Sequence, residues 1–289
     1  MRFRDFLNES NCKTKQLRLP MTESEYVQPK TTNELAHIIK DYCEENGWNS
    51  DLNFIDTSLI TDMSHLFGDT GFGYGLNKFN GDISKWNVSN VKDMSHMFYC
   101  AKSFNQSLNN WDVSKVEEME FMFHCAESFN QPLDKWDVAN VKDMKFMFAH
   151  AKSFNQSLNN WNVSNVEDMA SMFEEAKSFN QPLNNWNVSN VRDMDCMFAR
   201  ASSFNQPLDK WDVTNVKTMC FMFTFTDSFD QPLDKWDVTF VNNMECMFCN
   251  AKEFNQPLDK WDVTFVNNIR HMFKNSKLEK MDNLPEWYY

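Results

Sequence analysis

The chain predicts an α/β repeat fold: a solenoid with one short parallel strand and one short helix per 25-residue coil, closed by an N-terminal capping helix. Three observations carry this. Trp86, Trp111, Trp136, Trp161, Trp186, Trp211, Trp236 and Trp261 stand at one interval of 25 residues. Val88 to Val263 and Phe104 to Phe254 keep the same step, as does the Met-Phe pair from Met97-Phe98 to Met272-Phe273. A fixed period in this range is the signature of units stacked so that equivalent side chains build one continuous core.

The elements follow from the pattern within a unit. Val91, Met94, Met97, Phe98 and Ala101 fall on one face of a short helix, and Asn90 with Asp93 reads as its N-terminal cap. Leu108-x-x-Trp111-x-Val113 reads as a short strand buried on one side. Pro or Ser before each Leu (Pro132, Ser157, Pro182) suits the corner between coils. Asn105, Asn130, Asn155, Asn180 and Asn205 should stack there, bonding to backbone in the neighbouring coil rather than forming a catalytic set.

The ends are atypical, as the ends of an array must be. A leader over 1–30 is expected to be flexible or docked on the cap. A capping helix over 31–50 has a capping box at Thr31 and Glu34, an apolar stripe of Leu35, Ile38, Ile39 and Tyr42, and Gly47 as its stop. About nine coils occupy 51–277. The first is degenerate, with Ile55 in the Trp position and a few extra residues around Gly71 to Leu76. Residues 278–289 form a C-terminal cap that opens with a last short strand at Leu278-x-x-Met281.

Composition narrows the function. The formal net charge is −13, and Lys and Arg are spread through the repeats. That argues against a nucleic-acid partner. No apolar run reaches membrane-spanning length, and mean hydropathy is −0.60, so no membrane insertion is expected. The N-terminus has neither a hydrophobic segment nor a lipid-acceptor Cys, so the expected place is cytoplasmic or virion-associated. The eight cysteines do not recur at one repeat position, which reads as free thiols in a reducing compartment. Cys100 and Cys125 on adjacent coils are the exception to watch. Cys196, Cys246 and Cys249 are expected on the outward side of the helices.

No chemistry stands out. Cys246-x-x-Cys249 lacks a second pair for zinc, even with His271 near. The rows of Asp on the strand side lack a calcium-loop frame. None of the nucleotide, hydrolase or metalloprotease motifs occurs. The expectation is a protein that is not an enzyme, with no metal and no cofactor.

Two surfaces remain as candidates. Variable side chains on the helix side place Tyr99, Phe121, His124 and Phe146 on successive coils, an aromatic cluster suited to a protein partner. The strand side repeats Asp112, Asp137, Asp212, Asp237 and Asp262, a polar row suited to a host protein or glycan.

The unit W-[DN]-V-[ST]-N-V-x-D-M-x-x-M-F-x-x-A-x-S-F-N-Q-P-L resembles the BspA-type leucine-rich repeat of bacterial surface proteins, common in Mycoplasma and Listeria lipoproteins, over roughly residues 52–275. The resemblance implies a leucine-rich-repeat-like scaffold for surface display, adhesion or protein interaction, without catalytic residues. Similar arrays occur in phages and large viruses. The expected function is a non-enzymatic protein-interaction scaffold, phage- or virus-associated. A surface adhesin and a structural component of a larger assembly are the alternatives.

Overall fold

Every 25 residues the backbone of one coil lies against the next, and its own amides make the join. In a computed structural model, which describes residues 27–69, 71 and 74–288, the peptide N–H groups of Met94, His96, Phe98 and Cys100 donate to the carbonyls of Glu118, Glu120, Met122 and His124 one coil on, at 2.7–3.0 Å. The alternate residues Met97, Tyr99 and Ala101 close local turns onto Met94, His96 and Phe98 at 3.0–3.2 Å. The protein is therefore a repeat protein built as a stack of hydrogen-bonded coils. The expected leader lies outside the described residues as far as 26, as does Cys12.

This arrangement corrects the expected secondary structure. Among the described residues no coil contains an α-helix, and the helices are α1 (Thr32–Asn46), α2 (Lys277–Lys280) and one 3-10 turn (Glu286–Tyr288). The segment read as a helix, Val91 to Ala101, has two left-handed residues, His96 at φ 57° and Cys100 at φ 55°. A right-handed helix cannot pass through such residues. The three-residue turns bury Met94, Met97, Phe98 and Ala101 at spacings that mimic a helical face. The expected strand over Leu108–Val113 is likewise a turn, with Trp111 N–H bonded to the Leu108 carbonyl at 3.0 Å. Among the described residues parallel pairing is instead limited to isolated bridges: a ladder of one residue per coil from Asp62 through Asp93, Glu118, Asp143, Asp168, Asp193, Thr218 and Asn243 to Asn268, and a single pair of Val27 with Ile55 at the N-terminal end.

The core is three stacked columns. Each indole N–H from Trp86 to Trp261 bonds a carbonyl of an earlier coil, as Trp161 does to Leu133 at 3.0 Å, so each of these buried indoles is satisfied. The rings of Trp186 and Trp211 are parallel with centroids 6.4 Å apart. Phe67, Phe98, Phe123 and their successors to Phe273 form the second column at 5.3–5.8 Å. Phe79 and Phe104 to Phe254 form the third, within 4.0–4.7 Å of the second inside each coil. At the corner, Asn80, Asn105, Asn130, Asn155, Asn180 and Asn205 each accept two bonds through Oδ1. For Asn105 these come from the Asn130 N–H at 2.9 Å and the Gln131 side chain at 3.1 Å.

Both ends of the core are covered. In α1 the Thr31 hydroxyl accepts from the Glu34 N–H at 3.2 Å, while the Glu34 carboxylate reaches the Lys30 N–H at 2.9 Å. Leu35, Ala36, Ile39 and Cys43 are buried on the first coil, with Ile38 and Tyr42 at the edge of that contact. The extra residues of the first coil lie between Phe67 and Phe79, because Phe67 precedes its partner Phe98 by 31 residues and Phe79 precedes Phe104 by 25. Gly81 lets the α1 connection come close: a Cβ there would stand 1.9 Å from the Ser50 carbonyl oxygen. At the far end the expected strand at Leu278 is instead α2, capped by the Ser276 hydroxyl. Trp287 then adds a ninth indole to the column, 6.4 Å from Trp261 and bonded to the Leu258 carbonyl at 2.9 Å.

Replacing Trp161 with Ala removes a fully packed ring and its bond to Leu133, and should cost about 3–5 kcal/mol. Asn162 beside it is exposed. Thermal unfolding should therefore show a large fall in Tm for Trp161→Ala and a small one for Asn162→Ala; equal falls would remove the indole column from its central place.

Candidate functional site

The left-handed residues decide which side chains leave the core. His65, His96, Phe121, Phe146, Ser171, Cys196, Phe221, Cys246 and His271 all have φ between 55° and 59° and form one column. Cys100, Cys125, His150, Glu175, Arg200, Phe225, Asn250 and Asn275 form a second. A turn on each side of these residues fixes their backbone, so the side chain itself is free to differ between coils.

The structure brings Tyr99, Phe121, His124 and Phe146 together as one half-exposed ring stack. Phe121 and Phe146 lie 4.5 Å apart at 8°, and Tyr99 and His124 lie 4.8 Å apart at 8°. Cross-contacts join the two pairs: Tyr99 to Phe121 at 6.3 Å and His124 to Phe146 at 6.1 Å. The stack extends beyond these four candidates to three histidines. His96 lies 4.7 Å from Phe121, His65 lies 4.6 Å from His96, and His150 lies 5.3 Å from His124. The shared 25-residue register of His96, Phe121 and Phe146 was the available signal; the 31-residue first coil hid His65.

Burial sets the charge state of this surface. It pushes the His124 imidazole down to about 4, with His150 and His96 adding to the effect, and it lowers His96 as well. The Nδ1 atoms of His65, His96 and His124 are buried without a hydrogen-bond partner. Beside the rings, Lys145 bonds Glu120 and Asp143, and these carboxylates raise its pKa.

The polar row is placed differently. Asp112, Asp137, Asp212, Asp237 and Asp262 are all exposed, and each commits Oδ1 to the N–H two residues on at 3.0–3.1 Å. Ser114, Thr239 and Thr264 hydroxyls add a second bond and hold Asp112, Asp237 and Asp262 below the usual carboxylate range. These carboxylates thus stabilise local turns. Beside them run two shallow concavities of about 380 and 370 Å³, lined by Asn140, Lys142, Asn165, Glu167, Asn190 and Arg192 and, further along, by Lys92, Lys115 and Glu117. Among the described residues, no three His, Cys, Asp or Glu side chains are disposed to hold a metal ion.

The thiols depart from expectation. The seven described cysteines are free, but Cys246 is buried rather than outward, and Cys196 is only partly exposed. Desolvation pushes both up to about 11, and Cys100 to about 12. Side-chain size is the cause: Ser171 and Cys246 lie against the adjacent coil, whereas Phe221 in the same left-handed turn reaches past it and is 36% exposed.

A thiol reacts through its thiolate. Mass-mapped alkylation at neutral pH should therefore modify the part-exposed Cys249 well before the buried Cys246, and should find Cys196 slow because desolvation raises its pKa to about 11; a Cys246 rate equal to that of Cys249 would contradict the burial described. His124 gives a second expectation. Its pKa is depressed in the fold to about 4, so the unfolded chain binds the proton first, and stability contributed above pH 6.5 is lost as pH falls towards 4. Replacing His124 with Phe should flatten that part of the stability–pH curve, by on the order of 2 kcal/mol between its ends. An unchanged curve would show that His124 titrates normally.

No helix of the described residues is long and apolar enough to cross a membrane. No curated protein and no solved structure matches the chain. One family model does match, four times in overlapping stretches, at residues 33–151, 107–201, 131–219 and 181–287. Together these stretches run from 33 to 287 of 289 residues. The chain accordingly belongs to the repeat family described as Mycoplasma protein of unknown function, DUF285.

Proposed function

We propose that the protein is a non-enzymatic protein-interaction scaffold, built on a repeat of the BspA-like leucine-rich type, that binds a protein partner through the ring stack of Tyr99, Phe121, His124 and Phe146. The observation that supports this reading is the contrast between backbone and side chains. The backbone of each coil repeats with the same turns, and the interior columns hardly vary. At the left-handed positions, half-exposed rings gather on four successive coils, from His65 to Phe146, and give way to Ser171 and Cys196 immediately afterwards. Clustered aromatics of this kind supply the anchors of protein interfaces. The polar row of Asp112 and its equivalents offers nearly the same group on every coil, which suits a repeating ligand better than one partner. An adhesin that uses that row to bind a glycan or host protein is the second reading, and attachment to a virion or cell surface accompanies either.

Asn is the residue best tolerated in left-handed turns after Gly. The double change Phe121→Asn and Phe146→Asn should therefore leave Tm nearly unchanged, yet weaken capture of the native partner more than tenfold in quantitative pull-downs. Asp112→Ala with Asp137→Ala should leave capture within a few-fold of wild type. The reverse pattern would transfer the binding site to the polar row.

A further inference from the structure

Among the described residues, three of the six exposed large apolar side chains fall in a single column, at its two ends. The column runs Leu59, Asn90, Lys115, Asn140, Asn165, Asn190, Asn215, Phe240, Phe265. Leu59 is 47% exposed, Phe240 56% and Phe265 61%. The middle of the column has a structural duty: Asn90, Asn140, Asn165, Asn190 and Asn215 each donate through Nδ2 to a carbonyl of the preceding coil, at 2.7–3.0 Å. A Phe cannot make that bond. At Phe240 and Phe265 the protein forgoes an inter-coil hydrogen bond and places a ring in water, twice in succession. Within the fold the Lys217 ammonium over the Phe240 ring offsets part of one loss, while Phe265 stays 61% exposed.

The neighbouring column says what fits there. It reads Lys92, Glu117, Lys142, Glu167, Arg192, Lys217, with charges alternating over its first five members, and it lines the two shallow concavities. Such an alternation is self-complementary under a two-fold axis placed between the coils of Lys142 and Glu167. Within one copy Lys142 pairs with Glu117 at 3.1 Å and Arg192 with Glu167 at 3.9 Å, both at the surface. With the two stacks antiparallel, Lys142 of one copy also faces Glu167 of the other, and Glu117 faces Arg192. The same axis carries Leu59 of one copy onto Phe240 of the other, with Phe265 just beyond. Lys92 then approaches Lys217, whose Nζ is already turned over the Phe240 ring at 5.4 Å from its centroid. The strip from Leu59 to Phe240 spans seven coil steps, about 35 Å at the spacing of parallel strands.

We propose that a second copy of this chain docks antiparallel along this strip, as a two-fold dimer sealed at each end by Leu59 of one copy against Phe240 and Phe265 of the other. An isologous contact of this kind uses one patch twice, so each end seal and each ion pair occurs in duplicate. The dimer does not rest on the ring stack of Tyr99 and Phe121, which lies in other columns.

Sedimentation velocity over a concentration series tests this. The wild type should pass from monomer to dimer. Phe240→Asn with Phe265→Asn installs the side chain found at five equivalent positions; it should raise the dimer Kd at least about tenfold with Tm unchanged. Glu167→Lys should also weaken the dimer, by setting Lys against Lys142 of the other copy, and adding Lys142→Glu should restore it. A wild type that stays monomeric throughout, including one whose Phe240 face instead takes up a soluble glycan or a cationic peptide, overturns the proposal. So does a dimer whose Kd ignores the Phe changes. Failure of Lys142→Glu to rescue Glu167→Lys overturns the antiparallel register.

Discussion

The whole molecule depends on where the peptide N–H groups of one short segment go. In Met94–Cys100 every second amide points to the next coil, and the rest close tight turns. Buried amides without partners are costly. This pattern satisfies them only when the following coil stands in the same conformation 25 residues on. The period is thus a backbone requirement before it is a side-chain pattern. The Trp, Phe and Asn columns are what a backbone so constrained can stack. The left-handed residues that make the turns possible also determine which side chains face outward.

The division of labour among columns follows. At the Asn corner the position is nearly invariant, because its backbone N–H donates to the preceding coil while its side-chain oxygen accepts from the following one. Asp230 shows the limit of tolerance: it stands in the Asn column and still accepts from the Asn255 N–H and the Gln256 side chain at 2.9 Å. Positions that only form a turn accept His, Phe, Ser, Cys, Glu or Arg. Variation that bears on recognition is therefore concentrated where the backbone asks nothing of the side chain.

Much of this was legible in the sequence. The stacked Trp column, the bonded Asn corner and the capping helix all follow from spacing, because burial and hydrogen bonding act on side-chain position alone. The internal architecture of the coil was not legible. Met94, Met97, Phe98 and Ala101 are buried at intervals of three and four whether the chain turns as a helix or as consecutive tight turns. Only the sign of φ at His96 and Cys100 separates the two, and neither residue type announces it. Cys246, expected to be exposed on a helix, is buried because its short side chain does not reach past the neighbouring coil. The ring stack survived the change, because a column of equivalents stays a column in either geometry. Phe240 and Phe265 were readable as departures from an Asn row, but only once that row's bond to the preceding coil gave the departure a cost.

Each coil touches only the coils on either side. A coil copied whole is invisible to its neighbours, since both of its faces already match what they must meet. The final pair shows how alike two coils can be: Gln231–Asn243 and Gln256–Asn268 are identical over thirteen residues. Recombination between repeats of this kind lengthens the protein without a folding penalty. It also copies whatever the coil displays, so that a single outward Phe becomes two in register, and the reach of a surface grows in the same genetic step as the molecule.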